Sequence, residues 1–234
     1  MRMWKRILIQ AFARRNIYIS RKYHPNDGTI TSRISEELIR QAGGVLHIGA
    51  HEGQEASLYA QCNVPVIWIE ALPTKYEVLK RKIQQYPGQS AICALLGDSN
   101  LLEVEFFISN NDSASSSIYL PSTQANVPFE MIEKTVLEMK RLDSLFSLED
   151  AKNYRHWVID VQGAELKVLL GAGELIHFCN SLIVEAKRQS NYTNGTTWEE
   201  LLDFLELNGF VALWQIGEND EDNAYFIRVK NRLN

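Results

Sequence analysis

The chain has 234 residues, 45% of them hydrophobic, enough for one large domain with a substantial core. A net charge of −5 argues against nucleic acid as the main partner. No apolar run is long enough to span a bilayer. The three cysteines, Cys62, Cys93 and Cys179, lie far apart, so neither a disulfide framework nor a metal site is expected.

Charge is unevenly spread. Residues 1–26 hold seven basic residues and no acidic one, leaving 17 basic and 29 acidic residues, a net −12, for the remainder. Trp4, Leu8 and Phe12 share that segment. It reads either as a helix packed on the domain with its charges in water, or as a peripheral contact with an anionic membrane surface. Signal-peptide features are missing there, so the expected location is cytoplasmic. His24-Pro25-Asn26-Asp27-Gly28 is turn chemistry. We therefore expect a basic extension over 1–43 and a domain over 44–234.

From Ser35 the pattern is regular. A short helix over Ser35–Gln41 ends at Gly43-Gly44. Strand Val45–Gly49, helix Gln54–Cys62, strand Pro65–Ala71, helix Thr74–Gln85 and strand Ser90–Leu96 follow. Leu102–Ile108 and Val136–Leu142 read as strands, and the serine-rich stretch Ser109–Gln124 between them as a long functional loop. Strand His156–Val161, helix Glu165–Gly171, strand Ser181–Ala186 and helix Trp198–Asn208 resume the alternation. Strands Phe210–Ile216 and Ala224–Val229, joined by an acidic turn, close the chain. Such alternation predicts a Rossmann-like α/β fold: a mostly parallel sheet with an antiparallel C-terminal strand and helices on both faces.

In such a sheet a ligand sits beyond the carboxyl ends of the strands. Gly49, Glu70, Asp98, Asp160 and Glu185 all fall at such ends. The turn Gly49-Ala50-His51-Glu52-Gly53 lets backbone approach a ligand, and Glu70 is placed to accept both hydroxyls of a ribose. The turn lacks the third glycine of a G-x-G-x-x-G fingerprint, which argues against a nicotinamide-dependent oxidoreductase. Asp160 ends an apolar strand, and Glu165 sits in the first turn of the next helix, where a carboxylate suits the dipole. Tyr119, Phe129, Tyr192 and Trp198 are placed either for the acceptor side or for the core.

These segments resemble the FkbM family of S-adenosylmethionine-dependent methyltransferases. The match rests on LHIGAHEGQE (46–55), WIEALP (68–73), LLGDSN (95–100), SASSSI (113–118), RLDSL (141–145), IDVQGAELKVLLGAGELI (159–176) and SLIVEA (181–186). It runs in order from Val45 to Phe210 and omits the first 40 residues. The family usually has an acidic residue where this chain has His47, a position that helps orient the amino-acid part of the cofactor. The resemblance implies O-methyl transfer to a hydroxyl of a sugar, glycan or secondary metabolite. On it, Gly49, Ala50, Glu52 and Gly53 face the methionine part, Glu70 the ribose and Asp98 the adenine side, with Ser116 (and Ser115) as further contacts. Asp160 and Glu185 are the candidate bases and His51 the third; no metal is expected. The alternative is a scaffold that kept adenosyl-ligand binding or membrane docking without the reaction.

Overall fold

The computed structural model describes residues 28–213 and 221–229. The basic segment 1–26 and the greater part of the acidic turn before Asn223 lie outside the described residues. Two compact units divide the chain, 1–38 and 39–234, and the site lies in the second.

Its elements follow the expected alternation. Helix α1 (Gly28–Ala42) leads to β1 (Val45–Ile48), α2 (Ala56–Cys62), β2 (Val66–Glu70), α3 (Pro73–Ile83) and β3 (Gln89–Cys93). Next come β4 (Leu95–Leu96), β5 (Leu101–Ser109), β6 (Met131–Lys140) and two short helices, α4 (Leu142–Leu145) and α5 (Leu148–Ala151). The chain continues through β7 (His156–Ile159), α6 (Glu165–Gly171), a 3-10 turn over Gly173–Phe178 and β8 (Ser181–Lys187). Helix α7 (Trp198–Leu207), β9 (Phe210–Ala212) and β10 (Glu221–Arg228) complete it.

Seven strands form one sheet in the order β3-β2-β1-β7-β8-β10-β9. The first five are parallel, and β10 runs antiparallel between β8 and β9. The chain winds outward from β1 to β3 and then returns to place β7 on the other side of β1. That reversal makes the β1/β7 boundary the switch point of the sheet, where a crevice opens beyond the strand ends.

Both faces of the sheet are covered, so its strands are apolar on both sides. Trp157, Leu182, Phe226 and Leu205 belong to the core on one face, and Val66, Trp68, Tyr59 and Leu79 to the core on the other. Trp198 packs on Phe226, with ring centroids 5.9 Å apart, and is core rather than acceptor wall.

Several boundaries differ from expectation, and helix α1 begins at Gly28 rather than Ser35. The apolar run Ser90–Leu96 is two strands. Gln89–Cys93 pairs with β2, whereas Leu95–Leu96 joins Met139–Lys140 in a second, three-stranded sheet ordered β4-β6-β5. Both halves are apolar because each is buried by a different sheet, and Leu95 packs with Phe106, Met139 and Leu72. Strand β6 begins at Met131 rather than Val136, because its polar first half pairs with β5; Leu142 opens a helix instead of ending the strand. Strand β10 begins at Glu221, so Asp222 and Asn223 pair with Ala186 and Glu185 rather than forming a turn.

His47 and His156 lie wholly inside. His47 Nδ1 is 2.9 Å from the Tyr59 hydroxyl, and its ring stacks on Trp68 at 4.7 Å. His156 Nδ1 is 2.7 Å from Ser181 Oγ. Burial lowers both to about 3, with a smaller mutual effect of His156 on His47. Their unfolded value is near 6.5, so below that pH the unfolded chain binds more protons. Their contribution to stability is therefore complete above about pH 6.5 and is lost as pH falls toward 3. His47→Phe is expected to remove roughly 2 kcal/mol of the stability lost between pH 6.5 and 5, read from denaturant midpoints at each pH. Parallel curves for the two proteins would refute this.

Candidate functional site

Register places the site. Ile48 pairs with both Ile69 and Ile159, and Ile159 pairs with Val184. The next residue on each strand is Gly49, Glu70, Asp160 and Glu185. Four sequence-distant residues thus form one row across β2, β1, β7 and β8.

The turn after β1 is clamped on both sides. Gly49 and Ala50 donate their N–H groups to the Ile69 carbonyl, and Asp160 donates to Ile48. Gly49 has φ +83°, and a Cβ there would stand 1.7 Å from the Asp160 carbonyl oxygen. Only glycine allows that approach.

An open cleft lies beyond this row. Its polar lining includes His51, Glu70, Ser116, Asp160 and Gln162; Ile48, Ile69, Leu96 and Phe106 form much of the apolar wall.

Glu70 is buried and orders the turn around it. One carboxylate oxygen accepts the His51 N–H at 2.7 Å, the other the Leu72 N–H at 2.8 Å. Burial raises its pKa, and those N–H groups pull it partly back. Each oxygen retains a second lone pair for a ligand hydroxyl.

On the other side of the cleft stands Asp160, which is exposed to solvent there. Partial loss of solvation against the surrounding protein raises its carboxyl above the ordinary value. Glu185 is raised by burial first and by the like charge of Asp160 second. The Lys187 ammonium, 3.4 Å from Glu185, offsets part of this. Glu165 is also buried, accepts the Gly163 N–H at 2.9 Å and is raised to about 7 by desolvation.

The other predicted residues take different places. His51 lines the cleft, but both ring nitrogens are engaged: Nε2 is 2.8 Å from the Asp112 carbonyl and Nδ1 is 2.9 Å from Gln54 Nε2. A carbonyl only accepts, so Nε2 carries the proton and Nδ1 accepts from Gln54. Ala50 is buried behind the turn. Glu52 pairs with Lys75 at 2.7 Å, and Gly53 lies against Leu79. Asp98 is bonded to Lys167 at 2.6 Å. None of these last four lines the cleft as described. His47, at the position where the family usually has an acid, is turned away to Tyr59 and Trp68. Ser116 lines the cleft and accepts the Ser109 N–H at 3.1 Å. His51, Glu52 and Asp112 bring three donor atoms within 4.8 Å of one another, and the Lys75 ammonium bonds both carboxylates of that trio.

Reasoning from sequence passed over Gln162 and Lys75. Gln162 sat inside a recognised motif without a role, and Lys75 reads as an ordinary charge on a helix face.

The model of the FkbM methyltransferase domain matches residues 47–212. This chain belongs to the FkbM methyltransferase family. As an FkbM methyltransferase it uses S-adenosylmethionine. No curated protein matches the sequence. Among solved structures, fibrillarin from Aeropyrum pernix, in complex with natively bound S-adenosyl-L-methionine, is 10% identical with a TM-score of 0.51. That match covers 86% of this chain and 74% of fibrillarin, and at such identity it shows the fold alone. The O-methyltransferase from Bacillus cereus in complex with SAH is 14% identical, TM-score 0.46, covering 96% of this chain and 90% of that one. WbdD is 9% identical, TM-score 0.47, over 86% of this chain, which spans 40% of the length of WbdD. No helix among the described residues of this methyltransferase is long and apolar enough to cross a membrane.

Gly88 shares the φ of Gly49, at +84°, but its nearest obstacle is Pro65 Cα at 3.9 Å. Gly88→Ala is therefore expected to cost about 1–2 kcal/mol from backbone conformation alone. Gly49→Ala adds the clash with Asp160 and should cost about 3 kcal/mol or more. Denaturant unfolding compares the two, and equal losses would refute the close approach.

Proposed function

We propose that this FkbM methyltransferase transfers a methyl group to a hydroxyl of a small or glycan-like acceptor. One observation carries the reading: Glu70 and Asp160, from different strands, open into the same cleft at the switch point of the sheet.

The cleft suits an adenosyl ligand in its pairing of an apolar wall with the buried Glu70 carboxylate. Glu70 would take the ribose hydroxyls, the Gly49 turn would face the amino-acid part, and Ala94, Leu95 and Leu96 would contact the adenine. When bound, S-adenosylmethionine supplies an electrophilic methyl group on a sulfonium, open to in-line displacement. The protein's part is to hold the acceptor oxygen in line, exclude water and take up the hydroxyl proton.

Asp160 is the best-placed base. It lines the cleft, whereas Glu185 stands behind it against Gln162 and Lys187. With Glu185 keeping its proton, Asp160 is the anionic member of the pair and can receive the proton from the acceptor. His51 is a poor base, because its neutral ring has no lone pair to spare. Asp98, bonded to Lys167, would act through the backbone of its turn rather than its carboxylate.

S-adenosylhomocysteine is expected to bind, and Glu70→Gln to weaken it about 10- to 100-fold by calorimetry. Absence of binding to the unaltered protein would end this reading. With a panel of hydroxylated sugars and secondary metabolites and methyl-labelled cofactor, Asp160→Asn is expected to lower kcat by about 10²–10⁴ while leaving S-adenosylhomocysteine affinity within a few-fold. A variant that keeps its rate would exclude Asp160 as the base.

A further inference from the structure

Gln162 does more than its place in a motif requires. It has φ +55°, a left-handed conformation that a non-glycine residue occupies at a cost. Four contacts hold it there. Its side-chain nitrogen donates to Asp160 Oδ1 at 2.6 Å and to Glu185 Oε2 at 2.8 Å. Its side-chain oxygen accepts from the Tyr192 hydroxyl at 2.8 Å, and its backbone carbonyl accepts from Ser117 Oγ at 2.7 Å. The two carboxyl groups settle the orientation of the amide, because a flipped Gln162 would turn its oxygen toward both acceptors.

Two carboxyls side by side repel each other unless something positive or hydrogen-donating stands between them. Gln162 spends both hydrogens of its amide on that task. The Tyr192 hydroxyl has a single hydrogen, placed between Gln162 Oε1 and the Ser115 carbonyl at 2.9 Å. Ser115 and Ser117 belong to the serine-rich loop, so the loop and the carboxyl pair meet at one side chain.

We propose that Gln162 is a positioning residue of this site: it holds Asp160 and Glu185 together as one acid–base unit and, through Tyr192, ties that unit to the serine-rich loop. This rests on the reading of Asp160 and Glu185 as the groups that handle the proton. Around them stand Glu165 at the start of α6, Lys187 on β8 and Tyr192, and the Coulombic effects of all three are felt within the cluster.

The test is a carbon-13 carboxyl titration of the full chain by NMR, with Asp160 and Glu185 assigned through Asp160→Asn and Glu185→Gln. In the unaltered protein the pair is expected to titrate in two separated steps, one carboxyl keeping its proton past neutrality. Gln162→Met keeps the length and removes both donors. Both steps should then rise, the upper one further, so that the gap widens by about one pH unit or more. An unchanged gap would overturn the proposal. Gln162→Glu, which places a third carboxyl there without removing bulk, should raise the upper step; no movement would again overturn it, even if the Met variant fails to fold. Tyr192→Phe should leave the two steps in place and raise amide exchange at residues 115–117 about tenfold, and unchanged exchange would sever the link to the loop. Two ordinary carboxyls titrating together in the unaltered protein would sink the acid–base reading itself, an outcome distinct from failure of the role of Gln162.

Discussion

The parallel register of β2, β1, β7 and β8 is the constraint on which the site depends. Because Ile48, Ile69, Ile159 and Val184 share one row, the four residues that follow them emerge at one height. The backbone contact of Gly49 with Asp160 then fixes how closely the turns on either side of the switch point approach. A slip of one residue in any pairing would send one of these groups to the other face of the sheet. The geometry of the candidate site is a by-product of how the core strands pair.

That row concentrates charge of one sign. Glu70 answers its own burial with two backbone N–H groups. Glu165 does the same at the start of α6. Asp160 and Glu185 have no backbone donors of that kind, and Gln162 and Lys187 take their place. On the proposed reading, a carboxyl pair held in this way gives the cleft one group to accept a proton and a neighbour that already has one.

The serine-rich loop is joined to the domain at several points rather than left as a free cover. Lys75 bonds Asp112 and Glu52, His51 bonds the Asp112 carbonyl, and Tyr192 reaches Ser115. Backbone pairing of Ser122 with Asn191 and of Thr193 with Leu120 extends the seam. The serine-rich loop and residues 191–193 therefore brace one another, and Phe129 packs against Tyr192 with ring centroids 6.0 Å apart.

Local pattern alone was enough for the order of strands and helices, the glycine turn after β1, and the placement of Glu70, Asp160 and Glu185 at strand ends. Each is written in residues a few positions apart, where periodicity and turn chemistry act. It was not enough for the break of Ser90–Leu96 between two sheets, since an apolar run looks the same whichever sheet buries it. Nor did it separate the residues of the turn: Gly49 and His51 reach the cleft, whereas Ala50, Glu52 and Gly53 turn to the core or to Lys75. Asp98 finds Lys167, His47 finds Tyr59 and Trp68, and Gln162 finds Glu185 and Tyr192. Those partners lie far apart along the chain. Only the packed fold decides which of them come within hydrogen-bonding reach, because such contacts depend on how elements meet rather than on how each one forms.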